Sequence, residues 1–76
     1  MKKNLRYQIY KGSASGSMFF YTIFDTEVFE HVDEVNNLRY YTCVAETYDK
    51  DTTEQIVSCM NGGKGCSYVK NKYTSL

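Results

Sequence analysis

The residues best able to do chemistry in this sequence are its three cysteines and its single histidine. Together they supply the ligand types and the number of a tetrahedral zinc site: Cys43, Cys59, Cys66 and His31. No two cysteines are separated by only two to four residues, so no short segment brings half of such a site together. Cys43 and Cys59 also lie in a predicted strand and a predicted helix, where a small buried side chain is expected. The sequence therefore predicts free thiols and no bound metal.

Two other features have the composition of enzyme active sites. His31 lies among four carboxylates. A histidine that acts as a general base needs a nucleophile beside it, and no Ser, Cys or Lys neighbour in the sequence supplies one. Residues 61–67, NGGKGCS, have the composition of a phosphate-binding loop, yet they follow the predicted helix and so lack the dipole of a helix N-terminus. A solvated histidine and a glycine helix stop are the simpler interpretations. We expect a protein that is not an enzyme and has no cofactor.

The tyrosines give a binding signal of a different kind. Strand alternation places Tyr10 outward with Arg6, and Tyr41 outward with Arg39. A tyrosine beside an arginine suits stacking on single-stranded nucleic acid, and it equally suits a protein interface. A nucleic-acid module would use the basic residues near the termini: Lys2, Lys3, Arg6, Lys11 and Lys70. The formal net charge of +0 favours the protein interface, because nucleic-acid-binding domains are usually basic.

The charges are strongly segregated along the chain. All nine acids lie within residues 25–54, where only two bases oppose them, and the other seven bases lie outside this segment. Such a segment predicts an attraction to a basic surface and a faster association with it. The candidate partner-binding residues are five of these acids and two aromatic anchors: Asp25, Glu27, Glu30, Asp33, Glu34, Phe29 and Tyr41.

Length and composition limit the class of protein. The chain has 76 residues and is 42% hydrophobic and 24% charged, which is typical of one folded domain over residues 1–76. No apolar run approaches the roughly 20 residues of a membrane-spanning helix, and the basic start MKKNLRYQIY lacks the apolar region of a secretory signal. The odd cysteine count indicates a reducing compartment. We therefore expect a cytoplasmic protein with no membrane association.

Three segments show the pattern of strands. Residues 4–11 and 38–45 alternate between two faces, and their tyrosine, threonine and valine residues suit a half-buried pleated surface. Residues 18–24, MFFYTIF, are apolar on both faces, which predicts a central strand.

One helix is predicted over residues 51–61. Asp51 and Glu54 have the spacing of a capping pair at its start, and the glycine pair that follows residue 61 provides a stop. Ile56 and Met60 lie four residues apart, and we expect them to form the buried stripe of this helix.

The segment between the second and third strands has two interpretations. Helical spacing joins four of its apolar residues: Val28, Phe29, Val32 and Val35. That spacing would bury the valines and turn the carboxylates outward. Its β-branched composition, and turn signals at Asp25-Thr26 and Asn36-Asn37, indicate a strand instead. Both alternatives stay open, with periodicity slightly favouring a second short helix at about residues 26–36.

The remaining segments complete a small fold. Residues 64–70 have the pattern of a short edge strand with protective lysines, and residues 71–76 are expected to form a frayed tail. The predicted fold class is therefore α+β: a small antiparallel sheet of three to four strands, meander-like, with the helix at about residues 51–61 packed on one face.

In its size, aromatic richness and charge segregation the chain resembles the small proteins that phages and other mobile elements encode against host machinery, anti-CRISPR proteins among them. The resemblance implies a non-catalytic inhibitor or adaptor, an anti-defence protein acting in the cytoplasm of the host cell. The expected partner is a protein with a basic surface, such as a nucleic-acid-binding host enzyme or complex. The alternative is a small nucleic-acid-binding module that uses the basic termini and the exposed tyrosines.

Overall fold

Five strands form one sheet, with a single helix packed on it, in the computed structural model, which describes residues 5–16 and 18–76. In chain order the elements are β1 (Tyr7–Lys11), β2 (Tyr21–Asp33), β3 (Leu38–Thr47), α1 (Lys50–Met60), β4 (Tyr68–Val69) and β5 (Tyr73–Ser75). The predicted α+β class is confirmed. The sheet has five strands in the order β4-β1-β2-β3-β5, and it is mixed because β4 returns from α1 parallel to β1.

The core lies between α1 and the two strands β1 and β2. Ile9, Ile23 and Val57 have no exposed surface and contact one another. We call the side of the sheet that carries α1 the helix face and the opposite side the open face. Because one short helix covers only part of one face, the fold is thin, measuring 37 × 36 × 16 Å.

The position of α1 was predicted to within one residue, but its cap and its facing differ from the prediction. Asp49, and not Asp51, caps the helix: its carboxylate accepts the Thr52 N–H at 2.8 Å. Thr53 and Val57 are the buried residues and Met60 packs against the core as predicted, whereas Ile56 is 40% exposed. The sequence misled here because Thr53, which interrupts the apolar pattern, is buried with its hydroxyl bonded to Thr47 and to the Asp49 carbonyl.

Asn61 ends α1 and joins it to the sheet. Its side-chain Oδ1 accepts the Tyr7 N–H at 3.0 Å, and its Nδ2 donates to the Tyr7 carbonyl at 2.9 Å and to the Gly65 carbonyl at 3.1 Å. The carboxamide thus continues the ladder that β4 makes along β1, where Ile9 donates to the Ser67 carbonyl. The predicted glycine stop is confirmed, since Gly62 has the left-handed φ of 70° that helix ends favour.

Residues 26–36, where periodicity slightly favoured a helix, instead form the end of β2 and a turn. Asp33 pairs with Leu38, and Asn37 takes a φ of 60° in the turn between them. The β-branched residues and the turn signals therefore decided the structure, because a strand here can pair with β3 between Phe29 and Asp33. The pairing register slips between Asp25 and Phe29, so residues 26–28 bulge out of the ladder.

The ends of several strands differ from the prediction. The expected frayed tail at residues 71–76 contains β5, which pairs antiparallel with β3 at the edge opposite β4. Within the predicted strand 18–24, the ladder begins only at Tyr21, although β2 is central as expected. The predicted edge strand within 64–70 is present as β4. Residue 4 of the predicted first strand lies outside the described residues.

Burial on α1 gives a test of the core. We expect Val57→Ala to lower the free energy of unfolding by about 2 kcal/mol, because it removes fully buried methyl groups and leaves a cavity. Ile56→Ala, one residue away on the same helix, should cost less than about 1 kcal/mol, since its side chain is partly solvated. Urea denaturation of the two variants measures the difference, and equal costs would contradict the facing of α1.

Candidate functional site

The β2–β3 hairpin continues past the part of the sheet that β1 covers. β1 pairs with β2 only as far as Asp25, and Thr26 donates its N–H to the Arg6 carbonyl at 2.9 Å. Beyond that point, within the described residues, β2 pairs only with β3. We call this part of the hairpin, residues 26–41, the acidic arm.

The base of the acidic arm carries an ion pair between buried Asp25 and partly exposed Arg6. Asp25 is only 7% exposed, and its two carboxylate oxygens accept hydrogen bonds from the Arg6 guanidinium at 3.1 and 2.9 Å. The Asp25 Oδ1 atom also accepts the Glu27 N–H at 3.0 Å, inside the bulge. The bond from Arg6, with smaller help from that amide, holds the pKa of Asp25 below its ordinary value. Asp25 therefore orders the arm and presents little of its charge to solvent.

Three of the predicted acids are exposed along the arm: Glu27, Glu30 and Glu34. The valines of the same segment are exposed as well, Val28 to 46%, Val32 to 45% and Val35 to 94%. The expectation that these valines pack inward is thus wrong. The reason is that a strand turns neighbouring side chains to opposite faces, and the buried core contacts of α1 are with Ile9 and Ile23, before the arm begins.

Asp33 belongs to the tip of the arm. Its carboxylate accepts the Asn36 backbone N–H at 3.2 Å and the Asn36 side-chain amide at 2.8 Å. These two bonds lower the pKa of Asp33 below its ordinary value, and so it stays ionised while it holds the turn. Asp33 therefore combines a structural role with a charge at the arm tip.

The two predicted aromatic anchors lie in a row of rings on the open face. Ring centroids are 6.0 Å apart between Tyr10 and Phe24, 5.8 Å between Phe24 and Tyr41, and 5.9 Å between Tyr41 and Phe29. The bulge at residues 26–28 permits this arrangement, because it returns Phe29 to the same face as Phe24. Phe24 is 1% exposed, so the row forms a small second core on the open face.

Cationic side chains cover both ends of this row. The Arg39 Cζ atom lies 4.3 Å from the centroid of Phe29, and the Lys72 Nζ atom lies 5.7 Å from that of Tyr10. Their aliphatic stems and charged groups take the place of a second helix over the open face. Tyr10 and Tyr41 lie on the face opposite α1, as predicted, but both are half-buried. Arg6, predicted to lie with Tyr10, is placed over Tyr7 and paired with Asp25.

A second row of rings lies on the helix face of the arm, because Tyr40 points away from its neighbour Tyr41. His31 and Tyr40 have centroids 5.6 Å apart, and Tyr40 and Tyr73 have centroids 5.4 Å apart. The three residues are paired across β2, β3 and β5. Sequence reasoning missed this row because Tyr73 was assigned to a frayed tail.

The thiols and the histidine are not brought together. Cys43, Cys59 and Cys66 are free, and among residues 5–16 and 18–76 no group of three His, Cys, Asp or Glu side chains could hold a metal ion. Burial raises the pKa of the Cys43 and Cys66 thiols above the ordinary value. Cys59, expected to be buried, is exposed on α1.

One cleft in the described part of the chain offers few uncommitted polar groups. It has a volume of about 570 Å³ and lies beside the base of the arm, lined by Leu5, Arg6, Tyr7, Glu27, Met60, Asn61 and Lys64. Arg6 is paired with Asp25, and Asn61 is bonded to the backbone of Tyr7. The cleft is therefore best described as the place where the arm, β1 and α1 meet.

Comparison with known proteins gives no relative: no family, curated protein or solved structure matches the chain. In the described part of the chain, no helix has both the length and the apolar character needed to cross a membrane.

The Asp25–Arg6 pair predicts how stability depends on pH. A carboxyl whose pKa is lowered by folding stabilises the fold above its unfolded pKa of about 3.9, and that stability is lost as the pH falls through the folded value. We expect Asp25→Asn to cost about 1 kcal/mol at pH 7, a modest value because the Arg6 side chain is 46% exposed. We also expect the stability of Asp25→Asn to fall less steeply below pH 4 than that of the wild type.

Urea denaturation between pH 2 and 7 measures this effect. Glu34→Gln is the matched control, since it removes an exposed carboxylate at the arm tip. Some acid sensitivity should remain in Asp25→Asn, because hydrogen bonds also lower the pKa values of Asp33, Glu46 and Asp49. If the free energy of unfolding fell equally steeply below pH 4 in the wild type and Asp25→Asn, the role of the ion pair would be contradicted.

Proposed function

We propose that this protein is a small, non-catalytic protein-binding domain whose acidic arm docks on a basic surface of a partner protein. The observation that carries the proposal is the composition of the exposed arm, in which Glu27, Glu30 and Glu34 alternate with exposed valines. Carboxylates alone would be an ordinary solvated surface. Carboxylates interleaved with apolar side chains that the fold leaves uncovered are typical of an interaction site.

The two kinds of side chain have different roles in such docking. Exposed carboxylates attract a basic surface before contact and raise the association rate. Val28, Val32 and Val35 then gain free energy by leaving water, at about 25 cal/mol per Å² of apolar surface buried. The ion pair at the base and the capped turn at the tip hold the arm in one conformation, which reduces the entropy lost on binding.

The remaining predicted residues lie where they can support this surface. Phe29 and Tyr41 are half-buried at the base of the arm, with the Arg39 guanidinium over Phe29. Tyrosine, arginine and aromatic rings of this kind are common anchors of protein interfaces. Asp33 adds its charge at the tip, and Asp25 contributes indirectly by fixing the bulge.

A basic surface suited to this arm is found on proteins that bind nucleic acid. An inhibitor or adaptor that occupies such a surface needs binding residues and no catalytic ones. This agrees with the resemblance to anti-CRISPR and other anti-defence proteins of phages, which would act in the cytoplasm of the host. The chain would then compete with nucleic acid for its site.

Charge reversal on the arm tests the proposal. The partner is first isolated from a bacterial lysate by the immobilised protein and identified, and its association is then measured by surface plasmon resonance. For the triple variant Glu27→Lys, Glu30→Lys, Glu34→Lys we expect at least a tenfold lower association rate and a weaker dependence on salt. Circular dichroism must first show that the variant is folded.

The control is Asp51→Lys, which reverses an exposed carboxylate on α1 and outside the arm. Its association rate should stay within about twofold of the wild type, because a single charge at a distance is largely screened at physiological salt. A folded triple variant that keeps the wild-type rate and salt dependence would show that the acidic arm is only a solvated surface.

The row of rings on the open face favours a second candidate function, the binding of single-stranded nucleic acid. Tyr10, Phe24, Tyr41 and Phe29 lie in one row with Arg39 and Lys72, which is a combination that nucleic-acid-binding sheets use. Of the basic residues expected to contribute, Lys11 and Lys70 are exposed and Arg6 is paired with Asp25. Lys2 and Lys3 lie outside the described residues.

A gel-shift titration with a labelled single-stranded oligonucleotide separates the two functions. Because the cations on the open face are engaged with rings and the nearby arm is acidic, we expect no complex at micromolar protein and 150 mM salt. A complex that weakens as salt rises, and that is lost in Tyr41→Leu but not in Tyr73→Leu, would support the nucleic-acid function instead.

A further inference from the structure

We propose that the row formed by His31, Tyr40 and Tyr73 is a docking site for arginine side chains of the partner protein. This inference rests on the proposed function, since it names the side chains of the basic surface that the arm would meet. The row lies on the helix face of the arm and runs across β2, β3 and β5, whereas Val57 of α1 packs against Ile9 and Ile23 of β1 and β2.

The rings of this protein already bind cations elsewhere in the fold. Arg39 lies over Phe29 at 4.3 Å, Arg6 lies over Tyr7 at 5.3 Å, and Lys72 lies 5.7 Å from the centroid of Tyr10. These three contacts show the attraction between a cation and a ring face that the row would offer to a partner.

The His31–Tyr40–Tyr73 row differs from the open-face row in having no such cover. Among the described residues, no lysine or arginine lies over any of its three rings. His31 is exposed and Tyr73 is 37% exposed, so the rings are accessible at both ends of the row. On the open face, by contrast, Arg39 would repel an approaching cation.

The charge near the row is complementary to a cation. Asp33 lies two residues beyond His31 on the same strand, and Asn36 holds its carboxylate in place at the tip of the arm. A carboxylate beside ring faces suits a guanidinium, which can stack on a ring and donate to a carboxylate at the same time. A lysine ammonium is a compact and strongly hydrated charge, and so gains less from a flat row of rings. The row therefore favours arginine over lysine.

The experiment compares two peptides of equal charge, nona-arginine and nona-lysine, by NMR titration of isotopically labelled protein at low salt and pH 8. We expect the arginine peptide to bind about fivefold tighter than the lysine peptide. We also expect it to shift the ring resonances of His31, Tyr40 and Tyr73. The lysine peptide should shift mainly the amides near Glu27, Glu30 and Glu34.

Variants of the exposed edge residue test the role of the rings without disturbing the core. Tyr73→Leu should abolish the preference for arginine and leave the affinity for the lysine peptide unchanged, whereas Tyr73→Phe should keep the preference. Tyr10→Leu, on the open face, is the matched control and should also keep it.

The possible failures of the two proposals give different results. If both peptides bind the arm equally and the three rings do not shift, the arginine site is overturned while the acidic arm keeps its role. If neither peptide binds even at low salt, the acidic arm and the arginine site are both overturned. An arginine preference that survives Tyr73→Leu also overturns the site.

Discussion

The side chain of Asn61 connects the end of α1 to the backbone of β1, and most of the fold depends on this junction. Its carboxamide bonds to both polar groups of Tyr7, a residue 54 positions away in the chain, and to Gly65 where the chain turns toward β4. A backbone N–H and C=O left unpaired at this site would each lose a hydrogen bond that the fold needs. The junction holds α1 over Ile9 and Ile23 and directs the following segment alongside β1 as a parallel strand.

Because α1 covers only part of the sheet, side chains of the sheet itself cover much of the remaining surface. On the open face, four rings pack together and are closed by Arg39 and Lys72, which supply the apolar stems that a second helix would otherwise bring. On the helix face of the arm, His31, Tyr40 and Tyr73 have no such cover in the described part of the chain. The two sides of one hairpin thus differ in whether cations cover their rings, and this difference underlies the proposed docking of arginine side chains.

The bulge of β2 bears on both the packing of the fold and the proposed binding surface. Residues 26–28 leave the ladder between Asp25 and Phe29, which buries Asp25 against Arg6 and returns Phe29 to the open face. The same bulge is the first part of the acidic arm, and exposed Glu27 and Val28 lie in it. The Asp25–Arg6 ion pair can therefore affect how the proposed binding surface is presented, beside its expected contribution of about 1 kcal/mol to stability.

The sequence by itself determined the strands around Ile9 and Tyr40, the helix that Gly62 ends, and the concentration of acids near the arm. In the strands and the helix, the residue types agree with the local structure that they adopt. It left residues 26–36 ambiguous, because valines spaced for a helix are also good strand residues, and only pairing with β3 decides between them. It also misjudged Ile56 and Tyr73. Which helix side is buried, and whether a short tail pairs, depend on surfaces contributed by distant segments, which only the tertiary structure brings together.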